Sequence, residues 1–333
     1  MNSLANKGKT PLALFTYDRP QYVRPVLETL ARCTRIDECQ IYIYCDGAKT
    51  TEQATAVEQS RLIVRAWAEK FGAIVIERNE NLGLARSIVT AVTELCEKFG
   101  RVIVLEDDLQ VSPDFIDYML QALDRYADES RVYQISGYMF RIKNPAQPDA
   151  FFVPLTTSWG WATWNRAWHA FDSDAAAAAV EKLADPQVRR RFDLDNSSDR
   201  ATMMHQRAVN QNDSWAILWW WAVFQINGLV LYPRKSLVWV GGFDDSGTHN
   251  RAASKVQQDD LELFSRNRLS QPIRLPAKII ADDTVFDKIK SFLRKQRKRE
   301  EQRTLDAYLR RGVKKMFRIV FRLELSRRGI RRK

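Results

Sequence analysis

Three carboxylates stand side by side at Glu106-Asp107-Asp108, at the end of the apolar run Val102-Ile103-Val104-Leu105. Four such apolar residues suit a buried strand. Adjacent acids repel one another, and burying them is costly unless a cation or hydrogen-bond donors compensate. Hard cations such as Mg2+ or Mn2+ take carboxylate and phosphate oxygens, and one or two carboxylates leave coordination positions open for a diphosphate and water. A solvated acidic turn is the bland alternative; the apolar run before the triplet and the pattern around it favour the metal reading.

Other residues could do chemistry. Ser158 to Trp168 packs four tryptophans into a short stretch; Trp159, Trp161 or Trp164 could stack on a sugar ring, or the cluster could build core. Trp219 to Trp221 sit in an apolar helical stretch and read as packing. His169, His205 and His249 show no metal-ligand spacing, although His249 follows a Gly/Asp-rich turn and is a candidate for touching a metal or diphosphate. Cys33, Cys39, Cys45 and Cys96 are too far apart for a CxxC clamp and read as reduced thiols.

The elements that must position these groups alternate strand and helix through the first half. Strands are expected at Leu12–Thr16, Gln40–Cys45, Ala73–Ile76, in the opening run and at Val132–Ser136. Helices are expected from Pro20 to about Cys33, from Gln53 to Phe71, from Leu84 to Phe99, and after Ser112-Pro113-Asp114 with Ser112 as N-cap. That alternation predicts a mainly parallel, three-layer α/β sheet with right-handed crossovers, whose ligands gather beyond the carboxyl ends of the strands. Those ends carry Asp18, Arg19, Asp46, Arg78, Asn79 and the acidic triplet. Later, Asp172 to Asp199 reads as a surface helix plus a loop, Asp213-Ser214-Trp215 opens an aromatic helix that Gly228 ends, and short strands follow at Leu229–Tyr232 and Val238–Val240.

Length and composition agree with one large domain or two smaller ones: 333 residues, 45% apolar and 28% charged. The net charge of +11 is uneven. Val285 to Lys333 holds 19 Lys/Arg against 5 Asp/Glu, a local +14 that leaves −3 for everything before it. Apolar residues recur at helical spacing among the cations of Lys314 to Leu325, which suits a helix on an anionic membrane surface; a solvated tail is the alternative. No nucleic-acid motif accompanies the charge, and no nucleic-acid partner is expected. No apolar run of eighteen residues occurs, and Met1 to Thr10 lacks the core of a signal peptide, so the expected compartment is the cytoplasm, with peripheral contact at the inner membrane.

Four motifs in order, Leu14-Phe15-Thr16-Tyr17-Asp18-Arg19-Pro20, Tyr44-Cys45-Asp46-Gly47, Val104-Leu105-Glu106-Asp107-Asp108-Leu109 and Asp213-Ser214-Trp215, give a resemblance over roughly Pro11 to Asn250. The chain resembles the GT-A nucleotide-sugar glycosyltransferases, most closely the N-acetylglucosaminyltransferase I-like group, as a bacterial member. The resemblance implies a Rossmann-like α/β/α sandwich over 1–284, with a nucleotide-binding half at 11–137, an acceptor half at 138–284, and a basic helical extension at 285–333. It places Arg19 near the nucleotide diphosphate and Asp46 at the uracil or ribose. Arg86, Glu106 and Asp107 join the donor set, Asp108 holds Mn2+ or Mg2+, and Asp213 is the base of an inverting transfer. Thr248-His249 matches a late loop closing over the diphosphate. Ser214 stands where the family often has a second acid, and Asp244 or Asp245 is an alternative base.

The function implied is transfer of a hexosyl or N-acetylhexosaminyl group from a nucleotide-diphosphate sugar, with a UDP-linked donor expected, to a glycan or lipid-linked saccharide in polysaccharide biosynthesis. A retaining route would need a nucleophilic carboxylate on the sugar's other face. Two rivals stand beside it. A sugar-phosphate nucleotidyltransferase would usually place a Gly-rich loop after the first strand, where Thr16-Tyr17-Asp18-Arg19 has no glycine. A non-catalytic membrane-bound scaffold would have no need of the acids.

Overall fold

The computed structural model describes residues 8–143, 148–241 and 267–302. Its first half follows the apolar pattern closely. β1 (Thr10–Thr16), β2 (Cys39–Cys45), β3 (Ile74–Glu77) and β4 (Arg101–Glu106) alternate with α1 (Pro20–Leu30), α2 (Ala54–Phe71) and α3 (Leu84–Phe99). β1 is buried along its whole length, as a central parallel strand must be. Pro20 opens α1, and the helix buries Val23, Val26, Leu27 and Leu30 at helical spacing. Gly72 and Gly100 end α2 and α3 in the left-handed conformation that favours glycine.

The remaining elements are β5 (Leu109–Val111), α4 (Phe115–Arg125), β6 (Val132–Ser136), β7 (Ala150–Val153), β8 (Trp161–Trp164), α5 (Asn165–Trp168), α6 (Ala176–Lys182), α7 (Pro186–Phe192), α8 (Arg200–Ala208), α9 (Trp215–Gln225), β9 (Leu229–Pro233) and β10 (Val238–Val240). A last helix, α10, covers residues 283–302. Eight strands form one sheet in the order β3-β2-β1-β4-β8-β6-β9-β7, and β10 pairs with β5 in a separate ribbon.

β1, β2, β3 and β4 are mutually parallel, β8 runs antiparallel between β4 and β6, and β6 and β9 are parallel. The chain steps outward from β1 to β2 to β3 and then reverses to β4. Right-handed crossovers therefore put α1 and α2 on one face and α3 on the other. The fold is the expected three-layer α/β type with the reversal point between β1 and β4.

Three expectations change. Ser112 does not cap the helix after the acids: its hydroxyl accepts from Asp114 N at 3.3 Å, and α4 starts at Phe115 behind the short strand β5. The stretch from Asp172 holds two short helices, because Pro186 opens a new one and Asp185 caps it by accepting from Gln187 N at 2.7 Å. The tryptophan cluster contains a strand, β8, buried at all four positions.

Two apolar clusters result. The larger surrounds β1 to β4 and reaches β8 and α9; the smaller joins β7, α6, α8 and α9, and includes Val285 and Ile289 of α10, both fully buried. All four cysteines are free and buried, and burial pushes their thiols up to about 11 or 12.

Candidate functional site

The pairings set the carboxyl ends of four strands level. Phe15 lies opposite Glu106, Thr16 opposite Cys45, and Cys45 opposite Glu77. The next residues, Tyr17, Asp46, Arg78 and Asp107, form one rim. Tyr17 N donates to Asp107 Oδ2 at 3.3 Å, Asp46 N to Thr16 O at 3.1 Å, and Arg78 N to Cys45 O at 3.0 Å.

The compensating cation at the acids is Arg19. It donates from Nη2 to Asp107 Oδ1 at 2.5 Å and from Nη1 to Asp108 Oδ2 at 3.3 Å, with its guanidinium 5.4 Å from the Tyr22 ring centroid. The Asp107 side chain is 4% exposed and Asp108 19%, so Asp108 is the more accessible acid. Burial, then repulsion from Asp108 and Asp107, pushes Glu106 up to about 8. Burial also raises Asp107, to about 6 against the pull of Arg19. Arg19 is raised in turn, because the two carboxylates outweigh the burial that opposes its charge.

Asp46 is an anchor. Its Oδ1 accepts from Gly47 N at 3.1 Å and Leu82 N at 3.0 Å, and its Oδ2 from Gly83 N at 2.9 Å, which pins the β3–α3 turn to the end of β2. Gly47 fits only as glycine, since a Cβ there would lie 2.5 Å from the Glu80 carbonyl carbon. Tyr17 Oη donates to Gln53 Oε1 at 2.9 Å, and Gln53 Nε2 donates to Asp18 Oδ2 at 2.8 Å, tying together the loops after β1 and β2. Arg86 lies exposed in the first turn of α3, beyond the end of β3.

Asp213 precedes α9. Ser214 caps that helix by accepting from Ile217 N at 3.3 Å, and Asn212 Oδ1 accepts from Ser214 N at 3.0 Å. Asp213 is exposed. The first residue of the helix packs on the strand beside β4: Trp215 stacks at 5.3 Å on Trp161, and Trp161 pairs with Val104. The Ser214 hydroxyl is thus spent on the cap.

For the tryptophan cluster one expectation is corrected. Trp161 is fully buried, packed on Trp215, Trp168 and Trp219, and has no face open to a sugar. Trp164 is 4% exposed and donates to Leu123 O. Trp159 is half-buried, edge-on to Tyr138 at 4.6 Å. The aromatic missed from sequence is Trp239 of β10, half-buried beside the acids: Gly241 N donates to Asp108 O at 2.7 Å, Trp239 pairs with Gln110, and Arg141 lies 5.7 Å from the Trp239 ring centroid. Thr248 and His249, with Asp244 and Asp245, lie outside the described residues.

Among the described residues no three His, Cys, Asp or Glu side chains are arranged as a metal cage. The fit to a divalent cation is of another kind: an oxygen-only donor set in which Glu106 and Asp108 are both partly exposed, suited to a cation that completes its shell with phosphate oxygens and water.

Residues 12–169 match the model of glycosyl transferase family 2. No curated protein matches the chain. Among solved structures, similar chains include a mannosyltransferase from Pyrobaculum calidifontis in complex with GDP-Man and Mn2+, 14% identical with TM-score 0.37, covering 66% of this chain and 70% of that one. TarS of S. aureus is 12% identical with TM-score 0.42, covering 70% and 60%. Glucosyl-3-phosphoglycerate synthase of Mycobacterium tuberculosis, in complex with Mn2+, UDP and glucosyl-3-phosphoglycerate, is 12% identical with TM-score 0.32, covering 53% and 66%. The chain spans less than two thirds of the length of the latter two.

Proposed function

We propose that this chain is a metal-dependent family 2 glycosyltransferase that moves a hexosyl or N-acetylhexosaminyl group from a UDP-linked sugar to a glycan or lipid-linked saccharide, with inversion. The observation that carries the reading is the acid cluster at the end of β4, on the rim of strand ends and inside the segment that matches the family model.

In this reading Asp108 holds Mn2+ or Mg2+, while Glu106 and Asp107 face the sugar and ribose. The cation, when bound, supplies positive charge against the departing diphosphate. Arg19 adds charge beside it. Asp46 fixes the turn at the base and ribose and keeps one lone pair on Oδ2 for a donor. Arg86, Thr248 and His249 contribute to the diphosphate's surroundings. Asp213 accepts the proton of the acceptor hydroxyl as its oxygen bonds to the anomeric carbon and the bond to the diphosphate breaks. Trp159 and Trp239 offer ring faces to the acceptor. The basic segment beyond α10 rests on anionic lipid, placing a bacterial enzyme of polysaccharide synthesis at the inner membrane.

The test is thermal denaturation with a panel of nucleotide sugars. A donor should raise Tm when Mn2+ is present and much less without it, because a ligand that binds only the folded state stabilises it by mass action. A panel in which no nucleotide sugar moves Tm in Mn2+ would sink the proposal.

A further inference from the structure

We infer that Arg19 is an exchangeable counterion of the acid cluster, so that the metal and the diphosphate bind cooperatively through its release. The inference rests on the metal site proposed above and concerns what fills that site beforehand.

The geometry is specific. Arg19 spends one η nitrogen on Asp107, at 2.5 Å, and the other on Asp108, at 3.3 Å. A divalent cation on Asp108 would lie within a few ångströms of that guanidinium, in a partly buried place where like charges are poorly screened. The two cations therefore compete for the same oxygens. The Arg19 backbone is fixed at the start of α1, its carbonyl accepting from Tyr22 N at 2.9 Å and Val23 N at 3.3 Å, while its guanidinium is held by the two carboxylates and lies over the Tyr22 ring. Its guanidinium can turn away about the side-chain torsions without disturbing the sheet.

Multiple anionic oxygens resolve the competition. A diphosphate reaching the rim gives Arg19 a second set of acceptors in the bidentate geometry guanidinium favours. Arg19 then leaves the acids, and Asp108 becomes free for the metal. Each ligand thus lowers the cost of the other's entry, a reciprocal coupling. An empty site keeps its acids neutralised and binds bare cations weakly.

The experiment is a Mn2+ titration of the full chain, followed by the EPR signal of free Mn2+, on wild type, Arg19→Gln, Arg19→Lys and Asp108→Ala, with and without UDP. Without UDP, Arg19→Gln should bind Mn2+ on the order of tenfold tighter than wild type, the usual size of such a coupling. Arg19→Lys, whose single ammonium cannot bridge both acids in the same way, should fall between them. UDP should tighten Mn2+ binding in wild type and do so less in Arg19→Gln. Circular dichroism melts check that each variant is folded. Mn2+ affinity that is unchanged or weaker in folded Arg19→Gln, with Asp108→Ala still weakening it, overturns the counterion role alone. Equal Mn2+ binding by wild type and Asp108→Ala overturns the metal site beneath it.

Discussion

At the residue scale, the acids are held in tension between burial and charge. Burial raises Glu106 to about 8 and Asp107 to about 6, and neighbouring carboxylates add to the rise of Glu106. An unfolded carboxyl titrates near about 4, so the folded state binds extra protons between that value and about 8. The contribution of Glu106 to stability is therefore retained at low pH, lost as pH rises through this window, and fully lost above about 8. Metal-free protein should show this fall in Tm between pH of about 4.5 and 8, and Glu106→Gln should flatten it. Mn2+ binding at a pH of about 7 should release protons, measurable by calorimetry in buffers of different ionisation enthalpy. A Tm slope insensitive to Glu106→Gln, with no proton release, would contradict this account of the site.

At the element scale, the strands that end at the acids are distinguishable from the aromatic elements packed around them. Trp161→Ala should cost about 3–5 kcal/mol of stability, as truncation of a fully buried large aromatic does, and chemical denaturation measures it. Trp239→Ala, at a half-buried position, should leave stability within about 1 kcal/mol and act on the acceptor's KM, in line with surface substitutions. The reverse ranking in stability would contradict the placement of the two rings. Here the sequence was only partly legible. The alternation of β1 to β4 with helices was plain, because parallel strands buried on both faces read as apolar runs. β8 was not, since Trp-Ala-Thr-Trp is buried at every position and shows no period of two. β5 is three residues long, too short for any periodic signal. Trp239 gave no hint of its place, because only the pairing of β10 with β5 brings it beside Asp108. The Arg19–Asp107 contact likewise spans 88 positions and depends on β1 lying next to β4.

At the scale of the whole molecule, the charge surplus and the packed body overlap less than composition suggests. α10 starts inside the basic segment, yet it buries Val285 and Ile289, and Lys290 Nζ lies 2.9 Å from Asp195 Oδ2. Residues 303–333 hold 12 Lys/Arg against 2 Asp/Glu. No helix among the described residues is long and apolar enough to cross a membrane. A chain ending at Gln302 should keep its melting behaviour and lose binding to vesicles containing anionic lipid, where each basic residue near the surface is worth about 1 kcal/mol. Equal vesicle binding by the truncated and full chains would remove the membrane role from the tail.

The central claim is that Asp108, just after β4, and Asp213, just before α9, divide metal holding from proton transfer. The direct measurement is nucleoside diphosphate released on sugar transfer, with the donor found by thermal shift and an acceptor glycan, for wild type, Asp108→Ala and Asp213→Asn. The account predicts that Asp213→Asn keeps the Mn2+-dependent donor shift while transfer falls by roughly 10²–10⁴-fold, the usual worth of a general base. It predicts that Asp108→Ala loses the donor shift and transfer together. Full transfer by Asp213→Asn, or donor binding in Asp108→Ala as tight as in wild type, would contradict it.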